Sequence, residues 1–386
     1  MPLGKAAYLK KLTSHMRFRS VDVGEKLDGS SPPSVFVGRS GYPKVYIGPM
    51  LTPQEGDTAL LDLPEAWLPQ QKQQEDIVQF RLQLVRGKQR VDIKDLDHKL
   101  VQQVQEISLA ERAIDAEAEF NHKPRGFFFN EEHQPFGPSA PLKKFGVGNV
   151  RWEPGLEKTF YDTDFKAADA MIQLYQNGLP LSQIQKALSM GTVGMGKNRK
   201  LVPTRWSITA LDDTVGKHLV DEIRYNEVAD GYAVYEFTAM QNYFAILLTP
   251  TPWQYEWMEA FIHVLGKEEV IFSDWEGFRG KKEYSSVGGC FYAVRLAVAE
   301  KLKKERKQAG AIVFREAYPG YVPLGVWLCR EETRQALAQI PKTFDNLRSA
   351  LGYVGSKLQF PLSRFIETST LLKDMRSYKQ TVLTKY

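Results

Sequence analysis

Apolar residues return three and four positions apart through IVQFRLQLVRG and DLDHKLVQQVQEISLAERAIDAEAEF, and that spacing predicts helix from Ile77 to Phe120. Residues 164–190 show the same period, ending at Gly191, and KAAYLKKLTSHMR (5–17) predicts a short amphipathic helix with a basic polar face. Elsewhere the period is two. In Leu201–Ala210, Val202, Thr204, Trp206 and Ile208 fall on one side and Pro203, Arg205, Ser207 and Thr209 on the other, predicting a strand. SVFVGRSGYPKVYIGPM predicts a hairpin whose turn holds Arg39 between Gly38 and Gly41, with Tyr42 following. GYAVYEFTAMQNYFAILLTP predicts a largely apolar sheet interrupted by Glu236 and Asn242, and HLVDEIRYNEV before it reads as strand or as a helix–strand pair.

The remaining segments follow the same logic. Residues 121–150 are rich in Pro, Gly and aromatics and predict a long loop. Residues 253–265 predict a Trp-rich helix, followed by a strand, a basic loop (Arg279, Lys281, Lys282) and a helix from about Cys290 to Gln308. AIVFREAYPGYVPLGVWLCREETRQAL predicts a strand, a turn and a second strand, and 333–353 a further helix. Short, unevenly spaced strands among helices give an α+β class: a mixed sheet with surrounding helices in a larger N-terminal region, and a smaller α+β C-terminal region.

Length and charge narrow the picture modestly. At 386 residues the chain holds two or three domains, and a net charge of +5 suits a polyanionic partner only if the cations share a face. Cys290 and Cys329 are the two cysteines, too few for a disulfide framework or a cysteine-ligated zinc, and they point to a reducing interior. No window reaches the length of a membrane span and the first residues lack a signal-peptide core, so a cytoplasmic protein is expected.

Candidate chemistry concentrates in GTVGMGKNRKLVPTRWSITALDDT (191–214). Gly191, Gly194 and Gly196 allow close backbone approach, and Lys197, Arg199 and Lys200 supply positive charge, a combination suited to phosphate or simply to an exposed connection. Arg205 and Ser207 would project from the strand, while Asp212 and Asp213 would either cap a helix starting near Thr214 or hold a divalent metal. Asp57, Asp62 and Glu65 pose the same choice between metal and caps, with Pro64 placed to open a helix. Glu236 would pair with an arginine on a neighbouring strand, Arg205 being the candidate, or serve as a general acid or base. His122 and His133, with Glu131 and Glu132, match no metal-site spacing. Gly288 and Gly289, at a helix start, offer an anion seat.

SVFVGRSGYPKVYIGPM, GKNRKLVPTRWSITALDDT and EYSSVGGCFYAVRLAVAEKL together resemble the Nre family of archaeal DNA repair proteins, from about Ser34 to Arg334. One branch of that family begins with a four-cysteine zinc motif; no cysteine precedes Cys290 here, so the chain resembles the branch without it. The resemblance implies an N-terminal region over 1–265, a C-terminal region over 266–375, a tail over 376–386, and repair of damaged DNA in partnership with the sliding clamp PCNA. The family's clamp-binding tail is matched by QTVLTKY at Gln380, Leu383 and Tyr386, without the second aromatic, so docking would be weakened.

Three activities are then compatible with the sequence. A DNA-binding repair factor would contact phosphates through Arg39, Lys197, Arg199, Lys200 and Arg205, with Trp206 near bases. An enzyme on DNA or a nucleotide would be a metal-dependent nuclease using Asp212 and Asp213, or a glycosylase or nucleotide-transfer type with Arg205, Ser207 and Glu236 in a pocket. A passive adaptor would leave those charges incidental.

Overall fold

The structure is a computed structural model that describes residues 19–126, 128–130, 133–264 and 268–375. The amphipathic segment expected at 5–17 and the tail motif at 380–386 lie outside the described residues. The described residues divide into two compact units, the first comprising 19–215 together with 323–325 and the second 216–322 together with 326–375.

The first unit is built on a six-stranded sheet. In chain order its elements are β1 (Lys26–Ser31), β2 (Val35–Val37), β3 (Lys44–Leu51), α1 (Pro64–Trp67), α2 (Gln74–Leu82), β4 (Val85–Asp92), α3 (Lys99–Leu109), β5 (Ile114–Phe120), β6 (Phe128–Asn130), β7 (His133–Phe136), β8 (Ser139–Val147), α4 (Pro154–Tyr161), α5 (Ala167–Gln176), α6 (Leu181–Ser189) and the start of α7 (Thr204–Ile223). The sheet runs β1-β5-β8-β4-β3-β2, antiparallel except where β4 and β8 pair in parallel. Its core gathers Val45, Ile47, Val91, Ala116 and Phe120 from the strands with Leu100, Val101, Val104 and Ile107 of α3. The α3 positions recur at helical spacing, which is how one face of that helix closes the sheet.

The second unit holds the remainder of α7, then β9 (Glu227–Val228), β10 (Tyr232–Ala239), β11 (Asn242–Thr249), β12 (Gln254–Ile262), β13 (Glu269–Glu276), α8 (Gly289–Glu305), β14 (Lys307–Gln308), β15 (Gly310–Ala317), α9 (Val326–Leu337), β16 (Lys342–Phe344), α10 (Leu347–Lys357) and α11 (Leu362–Thr368). Its sheet runs β13-β12-β15-β11-β10-β16, with β12 and β15 parallel and the other pairs antiparallel. Alternate strand residues bury opposite ways. Ala245, Leu247, Met258, Ala260, Ile312 and Phe314 pack with Leu351, Val354 and Phe365 of α10 and α11, while Tyr255 turns to α8, its hydroxyl donating to Phe291 O at 3.0 Å. Two mixed sheets with helices are an α+β fold, as expected.

Several predicted elements are corrected. Residues 201–210 are not a strand: α7 begins at Thr204, its first turn closing on the Pro203 carbonyl through the Trp206 and Ser207 amides. Ser207, Leu211 and Val215 are buried at intervals of four, a helical repeat that the ten-residue window was too short to reveal. Asp212 and Asp213 therefore lie inside a helix and do not cap one. The segment expected as a Trp-rich helix over 253–265 instead holds the inner strand β12 (Gln254–Ile262), buried on both faces, and a strand of that kind shows no alternation. The helix expected across 77–120 is interrupted by β4 and β5. In β5 the burial of Ile114, Ala116, Ala118 and Phe120 alternates strictly, overriding the helix preference of its Ala and Glu residues. The strand expected around Val326 is the helix α9, and Pro341 with β16 breaks the helix expected over 333–353. The loop of 121–150 contains β6, β7 and β8. Among the described residues no helix is long and apolar enough to cross a membrane.

Candidate nucleic-acid interface

The hairpin predicted around Arg39 is present, and it carries exposed chemistry. Along β3, Val45 and Ile47 point into the core while Lys44 and Tyr46 point out, the period-two consequence of a strand with one buried face. The turn closes through Gly38 N to Tyr46 O at 2.7 Å and Lys44 N to Gly41 O at 3.0 Å. Gly41 has φ +80, the left-handed backbone that favours glycine, and a Cβ there would also stand 3.0 Å from Lys44 O. Arg90 lies opposite Tyr46 in register and reaches the same turn, its Nε donating to Lys44 O at 3.3 Å. Lys88 Nζ sits 5.9 Å from the Tyr46 ring centroid.

The start of α7 lies against this hairpin. Val37 N donates to Thr204 Oγ1 at 2.9 Å, fixing the helix end to β2. The rings of Tyr42 and Trp206 then meet with centroids 5.1 Å apart at 54°. Tyr42 is 43 % exposed, Trp206 45 % and Tyr46 44 %, unusual for side chains that normally bury most of their area. Arg39 and Arg205, one in the turn and one on the first turn of α7, are exposed beside them in sequence. Two motifs joined by a contact across 167 positions thus bring two exposed rings together, each with an exposed arginine close by in sequence.

Other residues singled out by sequence have structural duties. Arg199 is spent on backbone: its guanidinium donates to Gly194 O at 2.7 Å, Phe160 O at 2.8 Å, and Thr159 O and Asp162 O at 3.1 Å, satisfying carbonyls at the end of α4. Partial burial lowers its pKa, offset in part by Asp162. Gly191, at φ +68, lets the chain pack on itself, since a Cβ there would lie 2.7 Å from Lys200 O, and the Gly196 amide donates to Thr163 O at 2.8 Å. Lys197 and Lys200 are exposed on this connection.

The five residues considered for catalysis are divided between the units, Arg205, Ser207, Asp212 and Asp213 on the part of α7 in the first and Glu236 in the second. Arg205 is exposed, whereas Ser207 is buried, donating to Thr204 O at 2.9 Å and accepting from Gln185 Nε2 at 2.7 Å. Asp212 is fully buried and Asp213 half-buried within α7. Glu236 belongs to the second unit, on a strand whose neighbours are β11 and β16, and accepts from the hydroxyls of Tyr243, at 2.9 Å, and Tyr353. The strand-borne arginine expected beside it is therefore replaced by two tyrosines, whose own pKa values are raised.

The acids of residues 57–65 are likewise accounted for. Asp57 Oδ1 accepts from Ala59 N at 3.0 Å, and Glu65 accepts from the amide and hydroxyl of Ser182 at 2.8 Å each, capping the start of α6. Pro64 opens α1 as expected. Asp62 is buried with Arg81, Lys186 and Ser34. Sequence reasoning missed that cluster, in which Arg81 sits among the buried positions of α2 and Lys186 among those of the amphipathic α6. Among the described residues no group of three or more His, Cys, Asp or Glu side chains is arranged to hold a metal. Gly288, at φ +74, precedes α8 with Gly289 as its first residue. His122 is exposed and stays with its neighbour's backbone, its Nδ1 lying 3.1 Å from Lys123 O.

Comparison with known proteins agrees over nearly the whole length. The description "Archaeal Nre, N-terminal" matches residues 3–264, and "Archaeal Nre, C-terminal" matches 276–386. The chain belongs to the archaeal Nre family. It is 44 % identical over 360 residues to the DNA repair protein NreB of Archaeoglobus fulgidus, covering 92 % of this chain and 90 % of that one. The DNA repair protein NreA of the same organism is 35 % identical over 88 % of this chain and 87 % of its own length. NreA of Haloferax volcanii is 33 % identical over 83 % and 80 %. No solved structure matches this Nre chain. The two family regions meet between 264 and 276, whereas the compact units divide at 215, so the N-terminal family region includes α7 and β9 to β12 of the second unit.

Proposed function

We propose that this chain is a DNA repair protein that engages unpaired DNA through the hairpin–helix surface of its first unit. The observation that carries the reading is the exposed Tyr42–Trp206 pair, with exposed Arg39 and Arg205 close by in sequence and Tyr46, Lys88 and Arg90 on the adjoining strands β3 and β4. Aromatic faces stack on bases irrespective of sequence, and cations around them neutralise phosphates. Stacking needs bases out of the duplex, which is why single-stranded or frayed DNA suits this surface better than intact duplex. The names of the NreA and NreB relatives support the repair process.

Recruitment by the PCNA clamp through QTVLTKY is part of the same proposal, supported by family membership and by Gln380, Leu383 and Tyr386. A peptide of residues 376–386 binding the clamp, and losing binding on Leu383→Ala, tests it. For DNA, fluorescence anisotropy of a labelled single strand across a salt series is the test. Binding should weaken linearly on a log–log plot, and Arg39→Ala with Arg205→Ala should reduce the slope by about 0.7 per lost phosphate contact. Tight binding indifferent to salt and to both substitutions would refute the proposal.

A further inference from the structure

The second unit carries a separate cationic cleft of about 190 Å³. Lys217 reaches it from α7 and Arg224 from the turn just past the end of that helix. Arg279 and Lys281 enter from the loop after β13, and Arg295 from α8. Three elements distant in the chain thus direct five cations at one small space.

The cleft is rigidly built. Arg295 is buried, with Nη1 donating to Glu276 Oε2 at 2.9 Å, and the other Glu276 oxygen accepts from Trp253 Nε1 at 3.2 Å. Asp274 fixes the loop by accepting from Lys281 Nζ at 2.8 Å and from the Trp275 and Ser286 amides at 2.9 Å each. Arg224 lies 5.5 Å from the centroid of the Phe278 ring, which is 48 % exposed at the rim. Asp221 pairs with Arg224, Glu276 with Arg295 and Asp274 with Lys281, so three acids stand against five cations and the cleft keeps a net positive charge. Like charges held this close repel, and an anion entering the cleft relieves that repulsion.

We propose that this cleft binds a terminal phosphate monoester, carried by a nucleotide or by the end of a DNA strand. Its volume lies below the roughly 300 Å³ at which pockets begin to enclose drug-sized ligands, so it takes the phosphate and leaves the nucleoside outside. Phe278 then offers that nucleoside a stacking face at the rim. A monoester carries more charge than an internal diester, and the crowding of cations favours it. The site lies wholly in the second unit and does not depend on the Tyr42–Trp206 surface.

Isothermal titration with dAMP and with deoxyadenosine tests the proposal. Wild type should bind dAMP and not deoxyadenosine, inorganic phosphate should compete, and Arg279→Glu and Lys217→Glu should each weaken dAMP about 10-fold or more. Both positions are exposed, and Arg279→Gln, with an unchanged melting temperature, guards against misfolding. Trp206→Ala should leave dAMP binding unchanged, separating this site from the DNA surface. Oligonucleotides ending in phosphate or hydroxyl then identify the source. A preference for the phosphorylated end, lost in Arg279→Glu, assigns a DNA terminus; no preference beside tight dAMP binding assigns a free nucleotide. Equal binding of dAMP and deoxyadenosine, binding of neither, or full dAMP affinity in both charge-reversed variants would overturn the proposal.

Discussion

Replacing Asp62 by asparagine removes the carboxylate from a buried group of cations. Asp62 is 8 % exposed, contacts Arg81 and the Ser34 hydroxyl, and lies 2.9 Å from Lys186 Nζ, which also donates to the Asp62 backbone carbonyl at 3.0 Å. Arg86 is close by, its guanidinium 4.1 Å from the Phe36 ring centroid and 3.7 Å from that of Phe136. Burial and the Arg81 charge push the Arg86 pKa down to about 9, with Asp62 opposing them. Asparagine keeps the shape of Asp62 and deletes its charge, leaving the cations uncompensated. Breaking a buried pair from one side costs about 3–5 kcal/mol. At roughly 2–4 °C per kcal/mol, the unit's melting temperature should fall by about 6–20 °C.

Thermal and urea unfolding of wild type and Asp62→Asn provide the assay, and pH supplies an independent check. Burial raises the Asp62 pKa, but Arg81, Lys186 and Ser34 outweigh it and hold the group below the ordinary carboxylate value of 3.8. The unfolded chain therefore takes up the proton first as pH falls. The stability Asp62 contributes is present above pH 3.8 and is lost as pH falls through its folded value. Asp62→Asn should accordingly lose the part of the acid dependence of stability that Asp62 carries. A loss under about 1 kcal/mol at neutral pH would refute this reasoning. So would a wild-type melting temperature lowered by EDTA when that of Asp62→Asn is not, since that result assigns the carboxylate to a metal.

Two other substitutions separate structural from functional roles. Arg199→Ala should destabilise the first unit by about 1–2 kcal/mol, below the roughly 1.5–3 kcal/mol of hydrogen bonds to a charged group because the side chain is partly exposed, while single-strand affinity stays within about twofold of wild type; a large affinity loss in a fully folded variant would return Arg199 to phosphate binding. Glu256 is fully buried and accepts from Ser369 Oγ, Thr370 N at 2.7 Å and Leu371 N at 3.2 Å, so Glu256→Ala should free the segment after α11 to proteolysis near residue 369, and a wild-type digestion pattern would contradict that anchoring role.

Sequence periodicity located what depends on local signals. The β2–β3 hairpin followed from its Gly–Pro turn and flanking β-formers, and α5, α6 and α8 followed from apolar spacing. The failures share a cause. β12 and β11 are buried on both faces, so Trp257, Met258 and Phe244 carry no alternation, and a short apolar run with Trp reads equally as helix. In α7, Thr204 to Ala210 satisfies both periods, and only the burial of Leu211 and Val215 beyond it decides. The site was half legible. Arg39, Tyr42, Arg205 and Trp206 were each identified, but their meeting depends on Thr204 accepting from Val37, a contact across 167 positions that no local pattern encodes. Arg199 and Ser207 looked reactive because residue type does not reveal whether a polar group is already engaged by backbone. Asp62, Arg81 and Lys186 went unpaired for the same reason: a charge on a buried helix position announces a partner without naming it.

The central claim rests on the two exposed rings. The most direct measurement is the affinity of a labelled single strand for wild type, Trp206→Ala and Tyr42→Ala/Trp206→Ala at one fixed salt concentration, with melting temperatures matched. Stacking worth about 1–3 kcal/mol per base predicts a loss of roughly 5- to 150-fold for Trp206→Ala, with a further loss in the double variant. Unchanged affinity in the folded double variant would mean that DNA, if bound, is held elsewhere, and the hairpin–helix surface would have to be given up as its site.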